Sequence, residues 1–324
     1  MQPADHAAVE SVRAAQRTPR IPFRKRLKNT LIYYGVRGLV ALINAVPRGL
    51  ALDLCGLLGL AGYGFAGRTR RRTQDNLRRA FGETLAEPGI RRMARRVFWN
   101  LGRNAVDALR LSRLSSADMD VLVKVRGLDH LEAAYRQGRG VLAVSGHMGN
   151  FELLGSYLAC KGYPVTVVAA ALYDPRLDAL LRKNRTAGGL RVVRRDRATR
   201  AVLSALRQGQ VVGLLVDQDT RVPGVFVPFF GRPAYTPTGP AVLAGRTGAP
   251  IVPMAIRRLP DDTHLVTIHP ALPAPDGGRP ATHAVQDTVG RYTAAIEHLI
   301  RQDPAQWVWM HERWKTRPDA APEV

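Results

Sequence analysis

The chain has 324 residues, 46% of them hydrophobic, and its 48 Lys and Arg against 26 Asp and Glu give a formal net charge of +22. That length buries a substantial core as one α/β domain with an appendage, and the charge implies an anionic partner: nucleic acid, membrane headgroups, or an acidic protein or substrate. Sparse aromatics (6%) with no zinc-finger or RRM signature argue against nucleic acid, while just two Cys, Cys55 and Cys160, exclude a disulfide framework and fit a reducing compartment.

Residues 1–26 read as a disordered basic tail without the apolar core of a secretory signal. Arg13, Arg17, Arg20, Arg24, Lys25, Arg26 and Lys28 precede two apolar stretches, 31–46 broken by Arg37 and 50–66 broken by Asp53. A second basic block follows at Arg68, Arg70, Arg71, Arg72, Arg78 and Arg79. Neither stretch makes a clean span of about 20 uncharged residues, and basic residues at both ends keep both ends on the cytoplasmic face. Two helices lying in the membrane interface, or a shallow re-entrant hairpin, satisfy both facts; the plainer alternative is a helical hairpin packed on the following domain. Residues 73–113 continue as helix, with apolar positions among many Arg, and read as a headgroup-facing surface. Residues 27–114 are therefore expected to be a membrane-associated helical region.

From about Asp120 strands alternate with helices. Strands are expected at 122–126, 141–145, 164–169, 190–194, 211–216, 251–256 and 264–269, and helices at 131–137, 151–160, 175–186, 197–208, 240–246 and 281–301. Such alternation makes 115–318 an α/β domain: a largely parallel sheet with helices on both faces.

The stretch 140–155 carries the clearest chemical signal. An apolar strand ends at Ser145, Gly146 and Gly149 free the turn, and Asn150 is a natural N-cap for the next helix. His147 then lies just past the strand's carboxyl end, where open α/β sheets place their chemistry, and Glu152 sits in the helix's first turn. The spacing alone is weak, because His298 and Asp303 share it; those two fall on a helix, about 140° apart. In a loop, by contrast, the His147 ring can fold back so that Glu152 fixes its tautomer and leaves the other nitrogen to take a proton from a hydroxyl. The plain alternative is a loop His satisfied by a capping Glu. No His-Glu-x-x-His or Cys/His cluster suggests a metal. Backbone N–H groups of Gly149 and Asn150, at a helix start, suit an oxyanion.

Asp217-Gln218-Asp219 follows another strand and lies on the same sheet edge. The aromatic run 225–231 walls an acyl groove or simply packs the core. Three Trp among basic residues at 307–314 suit a membrane interface, a protein surface or a terminal segment docked on the core.

With His147-Met148-Gly149-Asn150-Phe151-Glu152, Asp217-Gln218-Asp219, the run 225–231 leading to Thr236-Pro237-Thr238-Gly239, the ending 304–318 and Asn76-Leu77-Arg78-Arg79-Ala80-Phe81 in place, the chain resembles the late acyltransferases of lipid A biosynthesis, within the lysophospholipid-type acyltransferases. The resemblance runs over about 27–318. It implies acyl transfer at the cytoplasmic face of a bacterial inner membrane, with His147 and Glu152 as the catalytic pair and a basic residue after the next strand holding substrate. Of Arg182, Lys183 and Arg185, Arg185 is favoured, although a regular helix puts it about 15 Å from that helix's start. Gly149, Asn150, Asp217 and Gln218 complete the expected substrate contacts.

The implied partners are an acyl carrier protein or acyl-CoA as thioester co-substrate, a phosphorylated glycolipid acceptor and an anionic membrane surface, with no cofactor, no metal and no nucleic acid. Transfer is expected to be direct, since a thiolate leaves readily and neither Cys nor Ser145 occupies a nucleophile's setting. Two other readings remain: an acyltransferase for another glycolipid, such as a mannosylated phosphoinositide, and a basic non-enzymatic protein that binds membrane or nucleic acid.

Overall fold

A computed structural model describes residues 23–274 and 282–318. Most of the expected basic tail and Ala281, the expected start of the last helix, lie outside the described residues. The described residues fall into two units, divided between Leu42 and Ile43. Helix α1 (Phe23–Ala45) starts inside the segment expected to be a disordered tail, because Phe23 to Arg26 are already helical.

The second unit opens with α2 (Arg48–Phe65), α3 (Gly67–Phe81) and α4 (Glu87–Leu109). What reads as one long helix from 73 is two, because the chain turns after Phe81 and restarts at Glu87, with Pro88 in the first helical turn where its missing N–H costs nothing. Helices α2 and α4 approach to backbone contact at their glycines: a Cβ on Gly59 would sit 2.1 Å from the Phe98 carbonyl oxygen, and one on Gly102 1.9 Å from that of Cys55. Residues 43–114 thus share a unit with the sheet instead of standing apart.

The reason is both apolar and ionic. Leu77, Ile90, Ala94 and Val97 join the sheet's core. Buried Asp107, near the end of α4, accepts from Arg48 at 2.7 and 2.9 Å, from Arg258 at 2.9 Å, and faces His264 Nε2 at 3.0 Å. Burial alone would raise the Asp107 carboxyl, but His264, Arg48 and Arg258 together hold it well below the usual carboxylate range.

Next come α5 (Ser116–Leu122), β1 (Val123–Arg126), α6 (Leu128–Tyr135), β2 (Val141–Ser145), α7 (Phe151–Cys160), β3 (Val165–Ala169), α8 (Pro175–Ala187), β4 (Arg191–Arg194), α9 (Ala198–Arg207) and β5 (Val211–Leu215). A hairpin β6 (Gly224–Phe229) and β7 (Arg232–Pro237) precedes α10 (Gly239–Thr247), β8 (Ile251–Arg258), β9 (His264–Ile268) and α11 (Thr282–Gln302). Among the described residues the main sheet has seven strands in the order β1-β9-β8-β2-β5-β3-β4. From β8 to β4 every pairing is parallel, so the expectation of a mostly parallel sheet holds. The far edge reverses: β9 runs antiparallel to β8, and β1 pairs parallel with β9.

Alternation along β2 divides the core between the two faces. Leu142 and Val144 pack with α9, α10, α11 and the helical region, whereas Val141 and Ala143 pack with α5, α6 and α7. Helices therefore cover both faces.

Val227, Phe229 and Phe230 of the aromatic run 225–231 belong to the core. Phe229 and Phe230 are buried against each other and against Trp307 and Trp309, which are themselves fully buried. That corrects the groove-wall alternative for this run and selects the docked-on-core alternative for the C-terminal Trp residues. Among the described residues no single helix is long and apolar enough to cross a membrane; α2 and α3 pass such a test only as a pair bent by 93°. Yet α2 keeps Leu54, Leu57, Leu58 and Phe65 exposed on the side away from α4.

Candidate active site

The site forms where β2 and β5 end side by side. Their register pairs Ser145 with Leu215, so His147 and Asp217, each two residues further on, leave adjacent strands as neighbours. Asp217 Oδ1 lies 2.7 Å from His147 Nδ1, and Oδ2 accepts the His147 backbone N–H at 2.6 Å and the Trp307 indole N–H at 2.6 Å. The Asp217 side chain is wholly inaccessible and that of His147 one-fifth exposed. Burial alone would raise the Asp217 carboxyl; the charge of His147 and these donors hold it far below the carboxylate range instead. An ionised Asp217 makes Nδ1 the protonated nitrogen, which leaves Nε2 as the acceptor.

Gln218 Nε2 donates to His311 Nε2 at 2.7 Å and lies 3.1 Å from His147 Nε2 and 3.2 Å from His147 Nδ1, so one amide group meets both rings. His311 must then be neutral, and burial together with the nearby His147 pushes it down to about 4. The two rings sit 5.1 Å apart.

Glu152 is elsewhere. Asn150 caps α7, its side chain accepting from Leu153 N–H at 3.2 Å, and Gly149, at φ 54° with its Cα against the Ile256 carbonyl, turns the chain as only glycine can at that approach. After this turn the first residue of α7, Phe151, packs its ring 5.1 Å from that of His147, while Glu152 turns to Arg185. Arg185 donates to Glu152 through Nε at 2.8 Å and Nη2 at 2.5 Å, a bidentate pair with both side chains 15% exposed. Arg185 does lie in the last turn of a regular α8, and it is that far end which faces the site.

The expected contacts thus need three corrections. The carboxylate on the His147 ring is Asp217, since Glu152 is committed to Arg185. Asp217 is sealed behind the imidazole, so no substrate reaches it. The Gly149 N–H donates to the Gln306 carbonyl at 2.9 Å and is unavailable to an oxyanion; the Asn150 side chain, buried as it caps α7 and donates to the Asn104 carbonyl at 3.2 Å, is likewise engaged, which leaves its backbone N–H as the oxyanion donor of that pair. His298 and Asp303, the decoy pair, are apart: His298 lies by His269 and Asp303 accepts from Gln306.

Trp307 and His311 went unassigned in the sequence. The C-terminal segment lines up on the His147 loop, with Val308 N–H donating to the His147 carbonyl at 3.0 Å, and this brings both residues to the site. An apolar cavity opens beside Glu152 and Arg185, floored by Ser145 and Gly213 and walled by Leu158, Val167 and Leu214. A second, lined by Val97, Leu101 and Met310, reaches Glu152 from the other side. Among the described residues no cluster of His, Cys, Asp and Glu could hold a metal ion.

The family model for bacterial lipid A biosynthesis acyltransferases matches residues 20–316. A lipid A biosynthesis lauroyltransferase of Escherichia coli (strain K12) is 28% identical over 90% of this chain and 94% of its own length. A lipid A biosynthesis acyltransferase of Haemophilus influenzae is 27% identical over 89% and 88%. A phosphatidylinositol mannoside acyltransferase of Mycobacterium tuberculosis (strain ATCC 25618 / H37Rv) is 32% identical over 59% of each chain. These matches make the chain an acyltransferase, a member of the bacterial lipid A biosynthesis acyltransferase family.

Proposed function

We propose that this enzyme moves a fatty acyl group from a thioester, on an acyl carrier protein or coenzyme A, to a hydroxyl of a lipid A-type glycolipid. The observation that carries the reading is His147: its Nδ1 is fixed by a buried carboxylate, which leaves Nε2 as acceptor, and its ring lies 5.1 Å from that of Phe151, which lines the apolar cavity. The acceptor hydroxyl takes the place of the Gln218 amide at Nε2 and gives up its proton there as its oxygen attacks the thioester carbonyl carbon. Asp217 stabilises the imidazolium. The carbon–sulfur bond then breaks, and the thiolate recovers the proton from His147.

The acyl chain lies in the apolar cavity, with Arg185 at its mouth. Glu152 orients the guanidinium, whose remaining N–H donors, with the first amides of α7, face the charge that develops on the carbonyl oxygen. No covalent acyl-enzyme is needed. Ser145 is buried in β2, and burial raises the Cys55 thiol away from the reactive range. The exposed apolar face of α2, followed by the Arg-rich α3, holds the enzyme at an anionic membrane surface on the cytoplasmic side.

Purified enzyme, thioester donor and glycolipid acceptor should give an acceptor heavier by one acyl group. Enzyme with donor alone should keep its unmodified mass. A stable acyl adduct that passes its group to acceptor contradicts direct transfer.

A further inference from the structure

Helix α3 places Arg68, Arg71, Arg72, Asp75 and Arg79 at three- and four-residue spacing on one face. Thr73 and Leu77 on its other side are fully buried. That cationic face and the C-terminal segment enclose a groove of about 720 Å³, to which Lys315 and Arg317 contribute two more cations. Its two carboxylates are already engaged, Glu312 with Arg72 and Asp75 with Arg78 at 2.6 Å. Among the described residues, Arg68, Arg71, Arg79, Lys315 and Arg317 are in no ion pair, so like charges converge on one concavity uncompensated. Asn76 lines the same groove and donates to the His311 carbonyl at 2.7 Å. The groove therefore touches the backbone of the same His311 whose ring meets Gln218.

We infer that this groove binds a lipid phosphate, that of the glycolipid acceptor, and so sets which hydroxyl reaches His147. Guanidinium forks match phosphate oxygens bidentately, and several at once suit a group bearing three acceptor oxygens. The concavity has the size of a small-molecule pocket, whereas an acidic helix of a carrier protein is about 10 Å across with its side chains and needs an open face. Phe65, 92% exposed and two residues before the groove-lining Gly67, offers an apolar contact for the chains of such a lipid. The inference rests on the glycolipid reading of the acceptor.

The test uses the full chain as wild type, as Arg71→Gln/Arg79→Gln, and as Arg92→Gln/Arg96→Gln, which removes the same charge from exposed positions on α4 outside the groove. Binding to phosphatidylcholine vesicles doped with phosphatidic acid should fall roughly tenfold or more in the groove variant and about twofold at most in the control. In acyl transfer, the groove variant should raise KM for the phosphorylated acceptor by a similar factor, leave kcat within about twofold, and leave the dephosphorylated acceptor unaffected.

The vesicle arm reads the groove even if no transfer is seen, so failure of the proposed reaction and failure of the phosphate site are distinguishable. Vesicle binding that falls equally in both variants would overturn the inference. So would a KM rise confined to the acyl carrier donor, or binding of inorganic pyrophosphate with none of the lipid.

Discussion

The His147–Asp217 contact turns an unremarkable loop histidine into a base with one defined acceptor nitrogen. Asp217→Asn keeps the shape but removes the charge that fixes Nδ1–H and stabilises the imidazolium. It should lower kcat by about 10²–10⁴-fold and shift the acid limb of the pH–rate profile. Glu152→Gln acts through Arg185, leaves that limb at its wild-type position and changes kcat and KM through the cavity mouth. If Glu152→Gln moved the acid limb as far as Asp217→Asn, Glu152 would be the imidazole's partner after all. Much of this was legible: both residues could be placed past strand ends on one sheet edge. What the sequence concealed is that β2 and β5 are neighbours, because strand order is set by packing of distant segments.

Helix α2 has one packed face and one exposed apolar face. One packs Ala51, Leu52, Cys55 and Gly56 on α4, while Leu54, Leu57 and Leu58 stay exposed. Replacing Leu57 and Leu58 by Gln should leave the melting temperature close to wild type yet weaken binding to neutral and anionic vesicles alike by roughly 1–3 kcal/mol, the transfer cost of two half-exposed leucines. Unchanged vesicle binding would remove α2 from the membrane contact.

Boundaries of β2 and α7 were readable from the Gly-bounded apolar run and the Asn150 cap. The antiparallel β8–β9 edge was also signalled, since no helix separates those strands, yet alternation elsewhere argued for parallel pairing. The β6–β7 hairpin hid behind Pro228, Pro233 and Pro237, which argue against strands but are tolerated in a two-stranded ribbon.

Across the whole molecule, buried titratable groups set a one-sided pH dependence. The unfolded chain protonates His311 near its ordinary value of 6.5, but the folded protein resists until about 4. His264 is lowered too, chiefly by burial. Stability is therefore full above pH 6.5 and falls as pH drops toward 4, by about 3 kcal/mol from His311 alone. Below that, the depressed Asp107 and Asp217 add further loss. Urea midpoints at pH 7 and 4.5 should differ less in His311→Asn than in wild type; equal differences would mean that His311 is not held neutral.

The His147 imidazole sits at the end of β2, and the proposal that matters most is that this ring moves the acceptor's proton. Single-turnover transfer from a thioester donor, with donor and acceptor saturating, tests it most directly in His147→Ala, with near-ultraviolet circular dichroism as the check that the variant is folded. A rate constant at least about 10³-fold below wild type is expected. Transfer by folded His147→Ala at the wild-type rate would contradict the account.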